Sequence, residues 1–455
     1  MDDIRKLTVL DRSRISPPPA TIGHRTLSLT FFDFTWLLFP PVHHLFFYHF
    51  PHSKSHFMET VIPALKHSLS ITLQHYFPFV GNLIVFPDPR YRKPEIRHEE
   101  GDSVALTFAE CSLDFNDLAG NHPRKCERFY PLVPPLGNAA KGTDCVTLPL
   151  FSVQVTLFPN SGITIGMTNH HSLGDASARF GFLKAWTWVY ESGGDLQFLS
   201  PPVYDRLIDI PKLDENKLNH TKLEGFYQPP SSLVGPTDRV RATFVLTRTH
   251  INQLKKKVLT QLPSLEHVSS FTVTVAYIWS CIGKSFVKTG EIKGENELEQ
   301  IILTIDCRSR LEPPVPATYF GNCGAPCVVT IKSVVLSGED GFVIASKLIG
   351  ESLRKMLNNN DGILKDAERW HDGFKIPARK IGLAGTTKLN FYDIDFGWGK
   401  PMKHETVSID YNGSVSLSAC RESAQDLEVG LCFPSMQMEA FANIFKDGLE
   451  SAIGS

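Results

Sequence analysis

The chain has 455 residues with 46 basic and 48 acidic side chains, a formal net charge of −2. Its hydrophobic content of 42% and charged content of 21% are those of an ordinary globular protein, and the length suffices for two domains, each with its own core. So even a balance offers no field for nucleic acid or a membrane as the main partner, and any anion site must be local.

Met1 to Lys6 opens acidic and lacks an apolar core with a cleavage site, so no secretory signal is expected and the cytosol is the default compartment. Phe31 to Phe50 is the most apolar stretch, but Asp33, Pro40, Pro41, His43 and His44 interrupt it, whereas a membrane span needs about 20 mostly apolar residues. It reads as a buried strand and loop. Apolar positions at Phe57, Val61, Leu65, Leu69 and Leu73 predict a helix with Pro63 in its first turns.

Phe151 to Phe158 and Gly162 to Met167 read as two strands joined by a turn at Pro159-Asn160-Ser161. His170 and His171 leave the second strand, and an acid, Asp175, follows four residues after His171. Phe180, Leu183 and Trp186 then recur at helical spacing, so the histidines sit at a strand-to-helix corner, where a scaffold holds a side chain rigidly. Ser200 to Ser232 is charged, proline-rich and without periodicity, which predicts a linker. Beyond it come a strand at Arg239 to Leu246, a basic helix at His250 to Val258 and apolar helices at Phe271 to Val287 and Phe342 to Leu357. Lys388 to Tyr392 has strand character and runs into the glycine- and aromatic-rich Asp393 to Pro401. Nine cysteines from Cys111 to Cys432 form no CxxC motif, which predicts free thiols in a reducing compartment. Cys323 and Cys327 alone fall short of the four ligands of a structural zinc site, so no metal is expected.

A single imidazole beside an apolar strand is more often a core residue than a base. Here His171 to Asp175 forms HxxxD, Tyr319 to Cys323 reads YFGNC and Asp395 to Gly399 reads DFGWG. In that order and spacing the three motifs resemble the plant BAHD acyltransferases. Leu29 to Asp33, Leu45 to Tyr48, Leu65 to Ser70, Asp306 to Arg310 and Leu427 to Leu431 are further landmarks, so the likeness runs almost end to end. YFGNC points to the branch acting on anthocyanins and other flavonoid or phenolic glycosides. His171 through Trp186, with Ile251 to Lys255 and Val268 to Val273, is similar to its malonyltransferases.

The resemblance implies an α/β protein of two chloramphenicol-acetyltransferase-like domains, each with a mixed β-sheet flanked by helices, and a tunnel between them. The expected division is 1–195, a crossover linker at 196–235, and 236–455. The resemblance makes His171 the general base, with His170 as a supporting neighbour. By itself Asp175 could orient the imidazole, but the resemblance turns it away to pair with an arginine, Arg308 or in its place Arg310. Asp395 joins the catalytic set as either a base or a loop-shaping acid, with Gly397, Trp398 and Gly399 as its structural motif.

Donor recognition is expected at Arg179, because an arginine can grip a malonyl carboxylate through two parallel hydrogen bonds; a surface salt bridge is the alternative. Lys255, Ser269 and Ser270 are candidates for binding the coenzyme A portion, although a lysine run can be a solvated face and the serines can be helix N-caps. The implied reaction moves malonyl from malonyl-CoA, a co-substrate, to a sugar hydroxyl of an anthocyanin or flavonoid glucoside. It needs no resident cofactor, metal, nucleic acid or membrane, and a monomer is expected. Rival readings are a hydroxycinnamoyl-CoA or acetyl-CoA donor, a noncatalytic binder of glycoside or CoA, and a peptide-synthetase condensation domain. His43 and His44, and the bulky Gln74 to Val80, depart from the family and leave the acceptor open.

Overall fold

Strands rich in β-branched and aromatic residues pair into three sheets in the computed structural model, which describes residues 7–88, 92–194, 200–206, 208, 212–215, 235–291, 294, 296–370 and 372–453. Phe151–Phe158 and Gly162–Asn169 form the expected antiparallel hairpin. Every residue of both strands is buried, because they occupy the middle of a six-stranded sheet. Its order is Leu7–Ile15, Val104–Cys111, Phe151–Phe158, Gly162–Asn169, Val42–His49, Lys403–Thr406. A seven-stranded sheet runs Gly324–Lys332, Leu298–Asp306, Arg379–Ala384, Val415–Ala419, Leu427–Pro434, Arg239–Leu246, Arg124–Lys125. Both are mixed, with parallel pairing only at Val104–Cys111 on Phe151–Phe158 in the first and at both sides of Arg379–Ala384 in the second. A smaller antiparallel sheet is built on Asn82–Val85 and Glu95–His98.

Sheet membership crosses the expected division of the chain. Lys403–Thr406, from the second half, pairs with Val42–His49, while Arg124–Lys125, from the first half, pairs with Arg239–Leu246. Buried charge reinforces both exchanges: Arg124 and Arg241 each bond a different oxygen of Glu405 at 2.9 Å, and Arg241 also holds Asp410 at 2.6 Å. Most of the linker expected over 196–235 lies outside the described residues. Of the part that is described, Val203 bridges to Tyr319 and Arg206 donates to the carbonyls of Ser28 and Phe320.

Most of the longer helices cover the sheets by burying one apolar face. The helix expected from Phe57 opens with a wide π turn over Phe57–Val61 and continues as Ile62–His75, with Pro63 in the first turn of the α-helical part. Its Leu65, Leu69 and Leu73 face the core shared with Phe182 and Trp186 of the helix Ala176–Ser192, and the Trp186 indole donates to Ser68 Oγ at 3.1 Å. In the second half the helix Ser270–Lys288 is buried along most of its length among Arg248–Gln261, Gly341–Leu357 and Ser435–Ile453. Lys388 to Tyr392 is not a strand. The Asn390 side chain accepts from Tyr392 N at 3.2 Å and starts a short turn over Phe391–Asp393, a local bond that competes with extended pairing. No helix among the described residues is long and apolar enough to cross a membrane.

Candidate active site

The strand Gly162–Asn169 ends where His170 N bonds back to Leu150 O, and one tight turn, His171–Leu173, then carries the chain outward. His170 Nδ1 accepts from Ser172 N at 3.2 Å, so this imidazole braces the turn. Gly174 follows with φ +156°, and a Cβ there would stand 2.7 Å from that of Ala178, so the reversal into the helix needs a glycine. Asp175 caps the helix Ala176–Ser192 through Oδ1, which accepts from Ser177 N and Ala178 N at 3.0 and 3.2 Å.

His171 projects from this corner with its ring flat against Trp36, centroids 3.8 Å apart and planes 6° apart. Its carbonyl accepts from Asn322 Nδ2 at 3.1 Å, and Asn322 is in turn fixed by Asp33, whose Oδ1 takes both Asn322 N and Nδ2 at 3.0 Å. Burial, then the positive charge of Arg179, pushes the His171 imidazole down to about 3. The ring is therefore neutral at physiological pH, the form a general base requires.

Asp175 does not face that ring. Its two oxygens are taken by Arg308, Nη1 to Oδ2 at 2.8 Å and Nη2 to Oδ1 at 3.1 Å, in a bidentate pair. Arg308 also donates to the carbonyls of Tyr319 and Gly321, and Cys323 N donates to Asp175 Oδ2. Burial works against the guanidinium charge, but Asp175 more than restores it and the net direction is upward. Arg310 turns elsewhere, donating to Asp306 O.

A cavity of about 920 Å³ opens at His171 and is lined from both halves of the chain. Arg179 stands in its wall, not on an outer surface. Its Nη1 donates to Gly174 O at 3.2 Å, its buried Nε has no partner, and among the described residues no carboxylate pairs with it. Burial brings its guanidinium down to about 10, with Asp175 pulling the other way, so it stays a cation at neutral pH. Beside it His44 Nδ1 and His404 Nε2 lie 3.1 Å apart. Burial first, then Arg179, depresses His44; burial takes His404 to about 3, so this wall carries neutral imidazoles next to one cation. Thr243, Thr304, Ser416 and Ser418 add hydroxyls on the seven-stranded sheet.

Other expected residues lie apart from the cavity. Asp395, counted with the catalytic set on sequence grounds, shapes its own loop: one oxygen accepts from Gly397 N and Gly399 N at 2.8 and 2.9 Å, and both glycines have positive φ. Phe396 packs edge-on against Trp186 and Tyr190, Trp398 against Tyr48 and Tyr190, and Lys184 donates to Asp393 O, so the DFGWG loop clamps the helix that starts at the His171 corner. Lys255, on the helix Arg248–Gln261, and Ser269 and Ser270 are not among the residues lining the cavity. Ser269 caps the helix Ser270–Lys288 by accepting from Thr272 N at 3.0 Å. Cys126, Asp410 and Cys432 converge with ligand atoms within 4.8 Å, a set that sequence spacing hides, but the Arg241 guanidinium already occupies the cationic position at Asp410.

Trp36 and His404 carried no signal in the sequence. Asp33 and Asn322 stood inside landmark segments without a role, which the hydrogen bonds to the His171 turn now supply. The chain matches the transferase family over residues 5–447. The chain belongs to the BAHD acyltransferases. It is 72% identical, over 100% of both chains, to a malonyl-coenzyme A:anthocyanin 3-O-glucoside-6''-O-malonyltransferase of Dahlia pinnata. It is 42% identical to phenolic glucoside malonyltransferase 1 of Nicotiana tabacum, across 90% of this chain and 91% of that one. The fold is similar to that of vinorine synthase, with a TM-score of 0.69 at 19% identity across 96% of each chain. It is also similar to F. sporotrichioides TRI101 complexed with coenzyme A and T-2, with a TM-score of 0.66 at 16% identity across 92% of this chain and 97% of that one. As in those folds, mixed sheets flanked by helices make two domains, the α/β architecture expected from the motifs.

Proposed function

We propose that this acyltransferase moves malonyl from malonyl-CoA to a sugar hydroxyl of an anthocyanin or related flavonoid glucoside, by direct transfer with His171 as general base. The observation that carries the donor is Arg179, a half-buried cation whose inward Nε has no partner and which no carboxylate among the described residues pairs with, in the same cavity wall as the base. A charge partly removed from water without a counter-ion is costly, and a malonyl carboxylate would offset it with two charge-assisted hydrogen bonds. The identity to the Dahlia pinnata enzyme supports the acceptor class.

In the transfer, the neutral imidazole of His171 takes the proton of the sugar hydroxyl as its oxygen attacks the thioester carbonyl. The tetrahedral intermediate collapses, the carbon–sulfur bond breaks, and the imidazolium returns the proton to the departing CoA thiolate. No acyl-enzyme forms. Asp175 and Arg308 hold the corner, Asn322 and Asp33 hold the His171 backbone, and Asp395 with Gly397, Trp398 and Gly399 secures the helix behind Arg179. Lys255 is the cation assigned to the phosphate end of CoA; Ser269 is committed to its cap. The reading carries a monomer acting on free small molecules in the cytosol, without a resident metal.

The test is to incubate the purified protein with anthocyanidin and flavonol glucosides and malonyl-, acetyl- or coumaroyl-CoA, and to weigh the products. A malonyl mass gain on a glucoside is expected, and Arg179→Ala should reduce malonyl transfer at least tenfold more than acetyl transfer. Preference for a coumaroyl donor, or equal losses in the variant, would overturn the donor assignment.

A further inference from the structure

Large apolar side chains are left in solvent at the cavity's edge, immediately beside the base. Leu38 and Phe39 are 45% and 43% exposed, yet both line the cavity that contains His171. Phe39 packs edge-on against Trp36 at 4.9 Å, and Trp36 lies flat on His171 at 3.8 Å, so an unbroken aromatic path runs from solvent to the catalytic imidazole. Pro40 and Pro41 follow at once and also line the cavity; their fixed φ angles limit retreat of the segment into the core. Exposed apolar surface that adjoins a cavity marks a place where something apolar docks.

The occupant can be named by its chemistry. The reacting hydroxyl belongs to a sugar, which must reach His171 inside the cavity, so the group attached to that sugar is left near the mouth. A flat polyphenol of fused and linked rings has the shape to lie along Trp36 and Phe39, where ring-on-ring contacts add to simple burial. A long aliphatic group would gain only the burial. We propose that Trp36, Leu38 and Phe39 form the seat of the acceptor's aglycone, and that Phe39 sets the preference for multi-ring aromatic glucosides. This rests on the acceptor class proposed above and adds the side chains that read it.

Phe39 suits a direct test, because its exposure means that its removal leaves the core intact. Steady-state rates would be measured for the wild type, Phe39→Ala and Phe39→Tyr with malonyl-CoA and either an anthocyanidin 3-glucoside or a single-ring phenyl glucoside. Phe39→Ala is expected to raise KM for the multi-ring glucoside about tenfold, to change KM for the phenyl glucoside and for malonyl-CoA less than twofold, and to affect kcat far less than KM. Phe39→Tyr should restore the wild-type KM. Equal shifts for both acceptors, a shift in the malonyl-CoA KM alone, or no shift would overturn the seat. Calorimetric binding of the multi-ring glucoside, without CoA, separates this result from the transfer reaction itself. If the wild type transfers nothing, about tenfold weaker binding by Phe39→Ala still upholds the seat while the proposed reaction falls, and unchanged binding overturns the seat as well.

Discussion

Arg308 grips both carboxylate oxygens of Asp175, at 2.8 and 3.1 Å, and so removes the acid of the HxxxD motif from any dialogue with its histidine. The same carboxylate caps the helix Ala176–Ser192 and takes Cys323 N, while Arg308 binds two carbonyls of the YFGNC segment. Two motifs from opposite halves of the chain are thus joined at one ion pair, directly behind His171.

Arg308→Met should cost about 3 kcal/mol of stability, since it leaves the partly buried Asp175 without its ion partner, and kcat should fall with it. Arg310→Met, which removes only a bond to a backbone carbonyl at an exposed site, should leave both nearly unchanged. Chemical denaturation and steady-state rates on the two variants check the contrast. Equal destabilisation would show that the pair does not carry the corner.

His171→Ala should fold normally and bind CoA, yet lose about two to four decades of kcat. In the wild type, burial and Arg179 hold this imidazole down to about 3. An imidazole whose pKa lies that low stays unprotonated through the neutral and mildly acidic range. The pH profile of kcat/KM should therefore show no decline centred near 6.5, the ordinary histidine value, on its acid side. A clear single-proton inflection there would contradict the lowered pKa of His171.

Acid should weaken the fold through its buried histidines. Burial takes His43 and His404 to about 3 and His170 to about 4, all below the unfolded value near 6.5. Below 6.5 the unfolded chain binds protons that the folded chain refuses, so stability is fully present above that pH and is lost as the pH falls toward the folded values. Each imidazole contributes at most about 1.4 kcal/mol per pH unit in that window. Denaturation midpoints measured from pH 7.5 to 4.5 should fall steadily, and His43→Gln should flatten the slope.

Asp395→Ala should damage activity far less than His171→Ala, by about tenfold or less, because its carboxylate serves two backbone N–H groups and no cavity atom. Gly397→Ala and Gly399→Ala should destabilise the fold by similar amounts, about 1 kcal/mol each, because φ is positive at both and a Cβ at either would meet nothing closer than ordinary van der Waals contact. A loss at Asp395 as large as that at His171 would return it to the chemistry.

What the sequence determined by itself was local, or was carried by whole motifs. Alternation and apolar runs mark Phe151–Phe158 and Gly162–Met167 as strands, and an acid ahead of helical spacing marks the start of Ala176–Ser192, because backbone pairing, capping and one-turn periodicity act over a few residues. The order of HxxxD, YFGNC and DFGWG was enough to name the family and the fold class. Tertiary structure alone decided the contacts that bridge long stretches of chain. It chose Arg308 over Arg310 across 133 residues, tied Asn322 to Asp33 across 289, and brought His44 against His404 across 360. It also confined Asp395 to its loop, laid Trp36 on His171, and sent Lys403–Thr406 into the sheet of the other half. The reason is physical: a side chain's type states what it can bond, but only the packing of distant elements decides which partner arrives and which side chains meet in the cavity.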